Sequence, residues 1–207
     1  MFLMNGFSKL TLSGEEQQLV NNSDWILTKR VIIEKINRLF GELAESQKTI
    51  VFKEKNWLPL PVIQSTPKIS KGENYLQLPY VLLDYPRCFD AENTFAIRTM
   101  FWWGNFFSVT LQLSGSYKQL LEENILKNKE IADLYDFYIC INESQWHHHF
   151  AAENYITVNQ LNDQEFEQII RQKHFVKMAI KYSLNEWKEI HLLLENSFTD
   201  MMKLLEA

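Results

Sequence analysis

In "AIRTMFWWGNFFSVTLQL", residues 96–113, Arg98 is the only charged residue among Phe, Trp, Met, Val and Leu. A guanidinium in such company must reach water at a sheet edge or meet an anion, because an unpaired buried charge is strongly destabilising. One candidate anion is Asp84, set between Leu83 and Tyr85 on the preceding strand, which would make a structural ion pair. The other is the carboxylate or phosphate of a small anionic ligand gripped by the guanidinium fork. In that second reading Trp102, Tyr75 and Tyr80 line an apolar cleft, with Lys71 beside them.

A second group lies in "WHHHFAAE", residues 146–153. In an extended chain His147 and His149 project to one side and His148 to the other, and Glu153 joins the first two if the strand continues. Two imidazoles and a carboxylate form the ligand set of many open iron, manganese or zinc sites. The spacing resembles the metal-binding half of the cupin fingerprint over seven residues. That resemblance implies a divalent metal, a further histidine from a later strand and an all-β fold. This chain departs from it: no glycine follows Gly115, the remaining histidines are His174 and His191, and strong helical periodicity marks both ends. No cofactor other than this divalent metal is indicated.

The usual phosphate-cradling and nucleophile signatures are absent. Lys68 and Lys71 precede Gly72 without the glycine-rich P-loop spacing, no Gly-x-Gly-x-x-Gly follows a strand, and Ser108, Ser114 and Ser116 lack the hydrolase elbow. A net charge of -5 with both signs interspersed offers no basic stripe for nucleic acid. The start lacks a basic, then apolar, leader, and no apolar run approaches the ~20 residues that span a bilayer. No membrane partner is expected, and the reading places the protein in the cytoplasm. Cys88 and Cys140 are too few for a disulfide framework and read as buried free thiols.

The elements that must position these residues follow from periodicity. Ser13 with Glu16 makes a capping box, and Trp25, Ile32, Ile33, Ile36, Leu39, Phe40 and Leu43 recur at helical steps, so residues 1–55 are helical. Residues 56–80 hold Pro59, Pro61, Pro67 and Pro79 and read as a long connecting loop. Residues 81–182 alternate as strands with intervening helices. A hairpin turning at Gly104-Asn105 would set Trp103 opposite Phe106 and Arg98 opposite Leu111, on an apolar face. "QWHHHF" reads as a strand, and Lys177 and Lys181 read as the solvated side of another. Ser183 and Glu186 cap the helix of residues 183–207, whose apolar stripe includes His191.

Together these patterns predict a single α+β domain over residues 1–207, a central, mostly antiparallel sheet flanked by a long N-terminal helix and a C-terminal helix. The function they favour is non-catalytic: binding of a small anionic molecule in an aromatic-lined cleft, or interaction with a protein. The alternatives are a metal-dependent enzyme built on His147, His149 and Glu153, and a homodimer formed through the N-terminal helix.

Overall fold

The computed structural model describes residues 10–206, so the expectation about a leader lies partly outside the described residues. Among them the architecture is α+β, built on a seven-stranded sheet in the order β1-β2-β3-β4-β7-β5-β6, every pairing antiparallel. The chain opens with α1 (Gly14–Asn21), whose Ser13–Glu16 capping box forms in both directions, and α2 (Ser23–Lys53), capped by Asn22. The apolar stripe of α2 drives it onto the sheet: Ile36, Phe40, Leu43 and Val51 are buried there.

Residues 56–80 are not a loop throughout. They carry a single turn of helix, α3 (Leu60–Ile63), the edge strand β1 (Lys68–Tyr75) and the first residues of β2 (Leu78–Phe89). The prolines hid this strand from pattern reading, but Pro67 precedes β1 and Pro79 sits near the start of β2, where missing donors are tolerated. The turn between them is Leu76-Gln77, both residues at positive φ, 47° and 67°. The ring of Tyr80 on the neighbouring strand lies across Gly72, where a Cβ would come within 2.5 Å of it and make that ring shift.

Strand β3 (Thr94–Trp102) and strand β4 (Phe106–Ser114) form the predicted hairpin with a shifted register. Trp102 pairs with Phe106, leaving Trp103, Gly104 and Asn105 in the turn, and Arg98 stands opposite Thr110 rather than Leu111. A one-residue slip moves every β4 side chain to the other face. The apolar face therefore joins Phe95, Ile97 and Phe101 to Phe107, Val109, Leu111 and Leu113, all buried against the helices. Arg98 belongs to the opposite, mixed face with Ser108, Thr110 and Gln112.

After β4 come α4 (Gly115–Lys127), α5 (Lys129–Leu134), β5 (Tyr138–Cys140), β6 (Tyr155–Thr157), α6 (Asp163–Gln172), β7 (Phe175–Ser183) and α7 (Ile190–Lys203). Asn162 and Glu165 cap α6 reciprocally. Ser183 and Glu186 also form their box, but it opens a short 3-10 turn before α7 begins at Ile190. His191 is partly exposed on α7, 3.9 Å from Glu195, not in the core. No helix among the described residues is long and apolar enough to cross a membrane.

Candidate functional site: a closed polar cluster and an uncovered helical arm

The mixed face of the sheet is roofed by residues 141–154, and "QWHHHF" lies in that loop rather than in a strand. Asn142 turns the chain by accepting from the Ser144 amide at 2.8 Å. Phe150 then fastens the loop by stacking on Tyr155 at 4.7 Å and meeting Tyr138 and Phe106 edge-on at 4.9 and 5.0 Å. Gln112 donates to the Gln145 side chain at 2.8 Å. Tyr75, from the edge strand, receives the backbone N–H of His148 at 2.6 Å and of His149 at 3.2 Å on its hydroxyl.

Under this roof the sequence-predicted cation finds a protein partner. Arg98 Nε donates to Asp84 Oδ1 at 2.6 Å and Nη2 to Oδ2 at 3.1 Å, the bidentate fork that suits a guanidinium. Its Nη1 meets His148 Nε2 at 3.0 Å. Every nitrogen of the fork is thus engaged within the protein.

The residue that pattern reading missed is Lys177. Alternation along β7 puts it on the solvated side, yet it is 1% exposed, because the loop that covers it arrives from some thirty residues earlier in the chain. Its Nζ lies 2.9 Å from the carbonyl of Gln145, 2.5 Å from that of His147 and 3.4 Å from His148 Nδ1. A count of donors fixes the protons. Arginine can only donate, so His148 Nε2 must offer its lone pair and the ring proton sits on Nδ1, facing the lysine. An ammonium would meet that proton donor to donor. A neutral amine accepts it and gives its own two N–H groups to the two carbonyls. Burial, with Arg98 adding repulsion, brings the Lys177 amine down to about 7, and burial likewise holds His148 well below its ordinary range, with Lys177 and Arg98 contributing.

The other predicted residues divide between this cluster and the surface. Trp102 packs edge-on against Tyr75 at 5.1 Å, and Tyr80 meets the same ring at 6.2 Å. Trp102 also donates from its indole to the Tyr75 carbonyl at 3.2 Å, so these rings fill space next to the cluster. Lys71 points to the other side of the sheet. It lines, with Tyr80, Lys29 and Arg30, a separate cleft of about 310 Å³ between α2 and the β1–β2 edge. The rings of His147 and His149 lie 5.4 Å apart, and Glu153 is exposed. No group of three His, Cys, Asp or Glu side chains able to hold a metal ion occurs among the described residues. Since the segment is not a strand, the alternation that placed His147, His149 and Glu153 together does not apply to it.

Among the described residues, the N-terminal helices leave apolar side chains uncovered. No residue of α1 is buried, and Leu19, Val20, Ile26, Leu27 and Val31 are each at least half exposed along α1 and the first turns of α2. The arm reaches back through Trp25, which meets Trp103 of the hairpin turn edge-on at 6.1 Å, and through Lys29, which pairs with Glu73 of β1 at 2.6 Å. Leu27 lies nine residues before the buried Ile36, which at helical pitch places it on the opposite side of α2. Family models, curated proteins and solved structures were compared with the chain, and none matches.

Proposed function

We propose that this protein is an interaction module that docks another protein through its N-terminal helical arm. The observation that carries the reading is the set of uncovered apolar side chains from Leu19 to Val31, on α1, of which no residue is buried, and on the first turns of α2, ahead of its buried stripe from Ile36. Helices as short as α1 are marginal alone in water, and contiguous exposed apolar surface marks a contact site. Reaction chemistry finds less support. The arginine, histidine and lysine with the most unusual surroundings satisfy one another beneath a closed roof. A bilayer is a poorer partner than a protein, because membrane-surface helices carry a polar face rich in Lys and Arg, whereas this arm sets Glu15, Glu16 and Asp24 against Lys29 and Arg30, and Lys29 is held by Glu73. The free thiols Cys88 and Cys140 suit a reducing compartment, and we place the protein in the cytoplasm.

The test replaces Leu19, Val20, Leu27 and Val31 together by serine or glutamine. The melting temperature is expected to stay within a few degrees while binding to the partner recovered with the wild-type chain is lost. A variant that keeps its partner removes the proposal.

A further inference from the structure

At the opposite end of α2 from the arm, a groove of about 920 Å³ runs between this helix and the edge strand β1. Its walls are Ala44, Lys48 and Phe52 on the helix and Ile63, Ile69 and Tyr85 on the other side. Phe52 and Ile69 stand at its mouth, 63% and 40% exposed. Strand β1 ends the sheet: it pairs with β2 alone, and among the described residues no backbone hydrogen bond reaches the outer edge of Lys68–Gly72. A row of open N–H and C=O groups is a template for one further strand.

The register sets which side chains such a strand would meet. Ile69 and Lys71 pair with Leu83 and Val81, whose side chains are buried on the helix-covered face, so both belong to that face, Ile69 at this groove and Lys71 at the neighbouring cleft. Among the described residues neither Lys71 nor Lys68 has an ion-pair partner. Antiparallel pairing of β1 with a second copy of itself sets Lys71 against its counterpart when centred there, and the register that would pair Lys71 with Glu73 competes with the ion pair Glu73 already makes with Lys29 at 2.6 Å, which disfavours self-association. An acidic strand meets no such repulsion.

From this geometry we infer that β1 and the groove beside it bind an extended peptide segment of a partner protein, with an apolar side chain opposite Ile69 and a carboxylate two residues away opposite Lys71. Backbone ladder bonds supply the attachment, and the alternate side chains that enter the groove supply the selectivity. This surface adjoins the arm where Lys71 shares a cleft with Ile26, Lys29 and Arg30, but Leu19, Val20, Leu27 and Val31 line neither that cleft nor the groove, so the loss of one docking surface is read apart from the loss of the other.

The experiment is an NMR titration of the full, isotope-labelled chain with the blocked heptapeptide Thr-Ser-Thr-Leu-Thr-Glu-Thr. Shifts are expected at the amides of Lys68–Gly72 and at Phe52, saturating near about 1 mM peptide. Lys71→Glu, at an exposed position, weakens binding by up to about fivefold, and a peptide with Lys in place of Glu recovers it against that variant. N-methylation of the Leu and Glu amides, or of the two amides between which they alternate, abolishes binding in one of the two peptides only, as a one-sided ladder requires. No shift at β1, shifts confined to another surface, or equal binding by both methylated peptides overturns the inference.

Discussion

Lys177 Nζ stands 3.4 Å from His148 Nδ1, each with its polar capacity otherwise filled. Between a folded value of about 7 and the ordinary 10.5, the unfolded chain binds a proton that the folded chain lacks. Stability should therefore rise with pH across that window, by at most about 1.4 kcal/mol per unit. His148, lowered from its ordinary 6.5, acts in the same direction below that value: stability falls further as acid charges it only in the unfolded chain. Thermal melts from pH 6 to 10 check this. Lys177→Met should flatten the rise above pH 7, and an unchanged slope would show that the lysine is charged in the folded protein.

Arg98→Leu leaves Asp84 as a charge without its bidentate partner and His148 Nε2 without a donor. The expected loss is about 3–5 kcal/mol, measured by urea unfolding. An Asp84→Leu, Arg98→Leu double replacement should recover part of it. A melting temperature untouched by the single change would mean that the guanidinium serves a ligand instead of the fold.

In the β1–β2 hairpin, Leu76 and Gln77 hold positive φ angles that glycine and asparagine adopt with little strain. Leu76→Asn with Gln77→Gly is expected to stabilise the protein by about 1–2 kcal/mol. A decrease in the denaturation midpoint would mean that these side chains do more than close the turn.

Gln47 is 1% exposed on the buried face of α2, and among the described residues neither atom of its amide has a hydrogen-bond partner. Leu at this position removes the unsatisfied groups at nearly constant volume. A gain of about 1–3 kcal/mol is expected. A loss would place an internal hydrogen-bonding molecule at this site.

The local signals and the long-range ones separate cleanly in this chain. Capping boxes at Ser13 and Ser183 were readable because each involves residues three apart, and each forms. The helical stripe of α2 was readable for the same reason. The hairpin was found and its register missed: a glycine in the second turn position of three, φ +72°, looks in sequence like the first of two. The alternation Ser108, Thr110, Gln112 held the corrective signal, since those polar residues belong beside Arg98. Strand β1 was hidden by its polar, edge-type composition, and its turn lacks Asn-Gly. The pairing of Arg98 with Asp84 was among the readings open from sequence, but the burial of Lys177 was not. A roof supplied by residues 141–154 cannot be seen in a window along β7.

The central claim is that the arm, and not the closed cluster, meets the outside world. A photo-crosslinking amino acid at Leu27 tests it most directly, with one at Leu134, an exposed leucine of α5, as the comparison. Irradiation in the cells that make the protein should yield a discrete crosslinked protein from position 27 and none from position 134. Equal yields from both, or none from position 27, would contradict it.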